Sequence, residues 1–171
     1  MADEYTQLAR ASFEHFTRTQ TRLPLPDGLP EELLNTQAGC FVSLHVGDDL
    51  RGCIGTLGPT QPSLAEEIVE NAISACSRDP RFPAVQASEL DSIHCSVDVL
   101  GEAEDITGPD QLDVKRYGVI VSKGFRRGVL LPDLEGVDTV EDQIAIAKAK
   151  AGIAPFETCD LQRFEVVRHS E

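Results

Sequence analysis

Tryptophan is absent from the 171-residue chain and tyrosine occurs twice, so an aromatic platform for stacking bases has only seven phenylalanines to draw on. Positive charge is equally scarce: 15 Lys and Arg against 29 Asp and Glu leave a net charge of −14. Such a surface repels phosphate backbones and anionic headgroups over a Debye length, which argues against nucleic acid and membrane as partners. No apolar run reaches the roughly 18 residues that span a bilayer. The acidic start MADEYTQLAR lacks the basic-then-apolar order of a secretory leader, so a cytoplasmic location is expected. The cysteines (Cys40, Cys53, Cys76, Cys95, Cys159) form no CxxC pair and are odd in number, which suits free thiols in a reducing compartment. HxH and HExxH pairs are missing, as are phosphate-loop and dinucleotide fingerprints. No metal and no cofactor is therefore expected; a His45, Cys53, His94 cluster is the one metal arrangement worth testing.

What is present describes an ordinary globular protein, 41% hydrophobic and 26% charged, and residues 1–171 read as one domain. Tyr5, Leu8, Ala9, Phe13 and Phe16 recur at intervals of three and four, predicting a helix over 5–22 stopped by Pro24, Pro26 and Gly28. Phe41 to Val46 and Leu50 to Thr56 alternate around Gly47-Asp48-Asp49, a hairpin signal. A three-residue loop that pairs Val46 with Leu50 gathers Val42, Leu44, Val46, Leu50 and Ile54 on one face, with Ser43, His45, Arg51 and Cys53 on the other. A two-residue loop spoils that apolar face and is disfavoured.

Pro62 to Arg78 is the clearest helix, with capping-box spacing at Ser63 and Glu66 and Pro62 in its first turn. It ends before Asp79-Pro80-Arg81-Phe82. Ile93 to Leu100 alternates as a strand. Val119 to Val121 and Val129 to Leu131 read as a second hairpin, buried on both faces, with a basic tip of Lys123, Arg126 and Arg127. A helix begins near Asp138 and is closed by Gly152, and Leu161 to Val167 is the last strand. Helices interspersed with hairpins predict an α+β fold with a largely antiparallel or mixed sheet. The two hairpin-and-helix stretches, 41–78 and 117–152, are candidates for a structural duplication, although no repeat is convincing in the sequence.

Chemistry concentrates in Leu50-Arg51-Gly52-Cys53-Ile54-Gly55-Thr56. Gly52 and Gly55 in a strand call for a bulge or a close approach of backbone or ligand. One reading makes Cys53 a nucleophile, its thiol pKa lowered by Arg51, with His45 across the strand as a base. The other makes Cys53 a small residue where nothing larger fits, and the pattern alone favours this one. Arg81 either presents its guanidinium to an anionic substrate or bridges carbonyls at the preceding helix end. Glu67 and Asn71, one helical turn apart, share a face that borders the same site or is simply solvated.

The stretches FVSLHVGDDLRGCIGTL, SLAEEIVENAISACSRDPRF, YGVIVSKGFRRGVLLPDLEGVDTVEDQIAIAKAKAG and LQRFEVVRH together resemble the AMMECR domain family, whose bacterial members are called AmmeMemoRadiSam system protein A. LRGCIGT is the family signature, joined by ENAISA…DPRF and GVLLP. The resemblance implies antiparallel strands and helices in two unequal lobes, with the RGCIG strand near the cleft between them. It also implies company: a Memo protein resembling extradiol dioxygenases, and a radical SAM protein. It carries over no catalytic residues. Two functions follow as expectations. One is an enzyme acting on a small anionic or carbonyl-bearing molecule through Cys53, Arg51 and His45, with Arg81, Gly52, Gly55, Asn71 and Glu67 lining the site. The other is a non-catalytic module that docks on those partners through an exposed apolar patch, with Phe125 or residues 24–34 as candidates.

Overall fold

The structure, a computed structural model, describes residues 2–171. Helix α1 (Glu4–Thr19) begins where the Asp3 carboxylate accepts the N–H groups of Tyr5 and Thr6, at 3.1 and 3.0 Å, while the Thr6 hydroxyl accepts the Asp3 N–H in return. It stops short of Arg22 because Gln20 turns left-handed, with φ of 58°. After the short helix α2 (Glu31–Asn35) come strands β1 (Cys40–Val46) and β2 (Asp49–Gly55), helix α3 (Leu64–Ser77) and strand β3 (Ile93–Leu100). Strands β4 (Glu104–Ile106), β5 (Tyr117–Lys123) and β6 (Arg126–Leu130), helix α4 (Val140–Ala151) and strand β7 (Asp160–Ser170) complete the chain. The fold is α+β, and the pairings of β1 with β2 and β3, of β5 with β6 and β7, and of β4 with β7 are antiparallel. The chain divides into two compact units, one comprising the residues up to Leu100 with Val167–Glu171, the other Gly101–Val166.

In the first unit the order is β2-β1-β3. Alternation sends Val42, Leu44, Cys95 and Val97 to one face of this sheet, where α3 packs on β1 and β2 and α1 packs on α3 and β3. Ala9, Phe13, Ile68, Val69 and Ala72 complete that core. Ser63 caps α3 through its hydroxyl, which accepts the Glu66 N–H at 3.2 Å, so Pro62 lies just before the cap rather than inside the first turn. The end of β7 belongs to this unit. Arg168 pairs with the buried Asp98 at 2.7 and 3.2 Å, and Glu171 grips Arg10 at 2.5 and 2.7 Å.

The first hairpin corrects the expected register. Its loop has two residues, Gly47 and Asp48, with Val46 opposite Asp49 and His45 opposite Leu50. The pairing then shifts, leaving Arg51 as an extra residue, and Leu44–Gly52, Ser43–Cys53 and Val42–Ile54 follow. The tight turn suits the strand twist, and the bulge restores the apolar face that an unbroken two-residue register would lose.

In the second unit β5 lies between β6 and β7, and β4 pairs with β7. Val119, Val121, Leu130, Val137, Ala147 and Ile153 form its core beneath α4, which Gly152 closes with φ of 74°. The two hairpin-and-helix stretches share one device. A Cβ at Gly52 would strike the carbonyl oxygen of Ala75 in α3, and a Cβ at Gly128 would strike that of Ala147 in α4. Each helix therefore rides directly on the outer strand of its hairpin.

Candidate functional site

The face of the first unit's sheet opposite α3 is polar, and its rows follow from the register. Cys53, Ser43 and Ser96 lie side by side across β2, β1 and β3. On the turn side, Leu50, His45 and His94 form the next row; on the other side stand Gly55, Phe41 and Asp98. The Ser43 hydroxyl donates to Cys53 Sγ at 3.2 Å. The Phe41 ring lies over Gly55, where a Cβ would collide with it. Ser43 and Asp98 are buried, while Cys53 and His45 are half-buried and His94 is exposed.

The backbone of Cys53 is held from outside the sheet. As β2 is an outer strand, the N–H and C=O of Cys53 have no strand partner on that side, and the loop after α3 supplies one. Cys53 N–H donates to Asp79 Oδ2 at 3.0 Å, and Arg81 Nη2 donates to the Cys53 carbonyl at 3.3 Å. Arg81 closes on the same aspartate through Nε at 3.0 Å, Nη2 at 2.8 Å and its backbone N–H at 3.0 Å. The Arg81 guanidinium, with the Cys53 and Arg81 N–H groups, outweighs burial and holds the Asp79 carboxyl far below the usual carboxylate range. Asp79-Pro80-Arg81 thus stands in for a neighbouring strand. The carbonyl that Arg81 bridges is in β2, not at the end of α3. Asp79 was not among the site residues expected from the sequence. The available signal was an Asp two residues before an Arg on a proline-fixed turn, a pattern that lets the side chain bond to its own loop.

Arg51 is occupied elsewhere. Its Nε and Nη2 donate to Glu89 at 2.9 and 3.2 Å, and Glu89 also accepts the Gln86 N–H at 2.8 Å. The expectation of a thiol activated by Arg51 is therefore corrected. Burial dominates and pushes the Cys53 thiol up; the Ser43 hydrogen bond and the charge of Arg81 oppose it without prevailing, and Asp98 and Asp79 add to the rise. Cys53 rests as a neutral thiol.

Glu67 and Asn71 are buried rather than solvated, and they stand on the helix side of the sheet. Glu67 gathers the loop after β2: it accepts from the Thr56 hydroxyl at 3.0 Å, Thr60 N–H at 2.7 Å, Thr60 hydroxyl at 2.5 Å and Gln61 N–H at 3.1 Å. Asn71 donates to the Cys40 carbonyl at 2.9 Å and to Thr56 at 3.2 Å. The structure thus sets Cys53 and Gly55 on β2, His45 one row away on β1 and Arg81 at the outer edge of β2, and ties Arg51, Glu67 and Asn71 to other partners. Among the described residues, no group of three or more His, Cys, Asp or Glu could hold a metal ion, and no helix is long and apolar enough to cross a membrane.

The second unit offers an internal control. Its outer strand reads Arg127-Gly128-Val129-Leu130 against Arg51-Gly52-Cys53-Ile54, and Lys150 donates to the Val129 carbonyl at 2.8 Å much as Arg81 serves Cys53. The row matching Cys53–Ser43–Ser96 is Val129–Ile120–Gln162. Arginine and glycine recur with the architecture; the thiol, the hydroxyls and the histidines do not. A half-open cavity of about 640 Å³ in the second unit, bordered by Asp105, Ser122, Cys159 and Asp160, contains none of the expected site residues.

A family model described as AMMECR1 matches residues 6–169. A protein of Thermotoga maritima is 50% identical over 167 residues, covering 96% of each chain. Protein CA_C1420 of Clostridium acetobutylicum is 48% identical over 170 residues; the match takes in 99% of this chain and 36% of that longer protein. Among solved structures, the crystal structure of the uncharacterized protein PH0010 from Pyrococcus horikoshii superposes with a TM-score of 0.90 at 33% identity, covering 98% of this chain and 89% of the other.

Proposed function

Since the chain belongs to the AMMECR1 family, we propose that it is an enzyme whose site is the polar face of the first unit's sheet and whose substrate is a small anionic or carbonyl-bearing molecule. The observation that carries this reading is the row Cys53–Ser43–Ser96, polar throughout, where the corresponding row of the second unit has Val129 and Ile120 before its one polar residue, Gln162. A sheet needs no thiol or hydroxyl there to pack, and buried polar groups cost stability unless bonded. The Cys53 sulfur adds to a carbonyl carbon of the substrate while its S–H proton passes to His45, one row away, and the C=O π pair moves onto the carbonyl oxygen; Ser43 donates to the sulfur and stabilises developing thiolate. Asp79 and Arg81 hold the nucleophile's backbone still, and the exposed side of the Arg81 guanidinium meets negative charge on the substrate.

The test is alkylation by iodoacetamide of the folded protein, followed residue by residue by mass spectrometry. Cys53 should react in the native state, its rate rising with pH along a curve displaced to the alkaline side of a free thiol, and His45→Gln should slow it near neutrality. A Cys53 that stays unmodified until the protein is denatured removes the nucleophile and sinks the proposal.

A second reading, a module that docks on a Memo-like or radical SAM partner, draws on the Clostridium acetobutylicum relative, in which a chain like this one makes up about a third of a longer protein. Retention of either partner on the immobilised chain supports it, and failure of both to bind counts against it.

A further inference from the structure

The second unit ends in a feature unlike the rest of this acidic chain. Strands β5 and β6 meet in a tight turn that leaves Phe125 99% exposed, and the segment after α4 leaves Phe156 89% exposed. The two segments are fastened together. Arg126 donates to the Gly152 carbonyl at 2.9 Å and to both oxygens of Glu157 at 3.2 and 3.1 Å, and Lys123 donates to the Thr158 carbonyl at 3.0 Å. From the last turn of α4, Lys148 donates to the carbonyls of Pro155 and Glu157, at 3.3 and 2.8 Å, and Lys150 to that of Val129 at 2.8 Å. Bonds to carbonyls fix ammonium groups in position without neutralising them. Glu157 faces Arg126 and also acts on Lys123; the carbonyl bonds of Lys148 and Lys150 leave their charges unbalanced, and Arg127, the next residue of β6, is exposed. A protein with net charge −14 therefore concentrates cations around two solvent-facing aromatic rings.

Neither the packing of the unit nor the polar face of the first unit explains this. Phenylalanine in full contact with water gives the fold nothing, whereas exposed aromatics among arginines are the anchors of interfaces. We infer that the Phe125–Phe156 end of the second unit is a docking surface for an acidic segment of a partner protein. Apolar side chains of the partner cover the two rings, and its carboxylates meet Lys123, Arg127, Lys148 and Lys150. The charge commits the surface to an anionic occupant. The rings stand on a turn and a loop, and the net charge of −14 repels a long polyanion beyond this end, which favours a protein over a nucleic acid.

A fluorescent peptide of alternating Glu and Leu, about a dozen residues long, titrated with the full chain at low and high salt, reads this directly. Saturable binding that weakens with salt is expected, lowered at least about tenfold by Phe125→Ser with Phe156→Ser and likewise by Arg127→Glu with Lys150→Glu. Phe125, Phe156 and Arg127 face solvent, so the phenylalanine pair and Arg127→Glu alone should unfold at the wild-type temperature; Lys150→Glu also gives up the bond to the Val129 carbonyl and is read against its own unfolding temperature, and Cys53→Ser should bind the peptide normally. Four results overturn the inference: no saturable binding; equal binding by the variants; tighter capture of a single-stranded oligonucleotide of similar length; or sedimentation showing that these residues join two copies of this chain.

Discussion

Gly52 and Cys53 are neighbours on β2 that answer to different parts of the molecule. Gly52 lies beneath the Ala75 carbonyl, so its missing side chain is the contact that lets α3 sit on the sheet. Replacing it with alanine places a methyl group against backbone, which has no rotamer to yield. The expected cost is at the upper end of about 1–3 kcal/mol or beyond, measured as a lowered urea midpoint with an unchanged slope. Cys53 points the other way, and its chemistry depends on three residues from two other segments: Ser43 in β1, and Asp79 and Arg81 in the loop after α3. The sequence put Arg51, Gly52 and Cys53 in one motif and invited one explanation for all of them. The second unit separates them, since Arg127 and Gly128 recur beside a valine.

At the scale of elements, β7 does more than close a sheet. Its last residues give Arg168 to the buried Asp98 and His169 to Asp3 at 2.5 Å with its ring stacked 3.8 Å from that of Tyr5, and Glu171, just past the strand, goes to Arg10 and accepts the Cys95 N–H. Each of these completes a group that α1 or β3 cannot satisfy alone. Removing Val167–Glu171 strands the Asp98 carboxylate without its cation and should cost about 3 kcal/mol or more. Limited proteolysis should then cleave the first unit faster than in the full-length protein, and an unchanged rate would show that these contacts are dispensable. The first hairpin makes a different point. Its faces were predictable from alternation, but the bulge at Arg51 was not, because the choice between a three-residue loop and a two-residue loop with a bulge depends on turn strain and strand twist together.

For the molecule as a whole, buried thiols set an alkaline limit. Burial pushes Cys40 up to about 12, and raises Cys53, Cys76 and Cys95 as well. In the unfolded chain these thiols lose their protons at about pH 8.5, while in the folded state they keep them, so the folded form binds more protons across that window. Their contribution to stability is complete below the unfolded value and is lost as pH rises through the folded ones, each thiol contributing about 1.4 kcal/mol for every pH unit that separates its two values. Urea midpoints should fall steadily between about pH 8 and 11, and Cys40→Ala should fall less steeply; a flat profile in the wild type would contradict the burial of these groups.

Composition, alternation and capping residues were enough for the α+β class, the span of β3, the Ser63 cap and the closing Gly152. These are legible because each depends on residues within a few positions of one another, where hydrophobic period and backbone geometry decide. The sequence alone also marked Cys53 and the segment around it. Only the tertiary structure decided what surrounds that thiol: Arg51 turned to Glu89, Glu67 and Asn71 drawn to the helix side, and Asp79 brought to the Cys53 amide. An ion pair or a buried carboxylate is indifferent to distance along the chain, and which of many charges it meets is settled when the strands and helices pack.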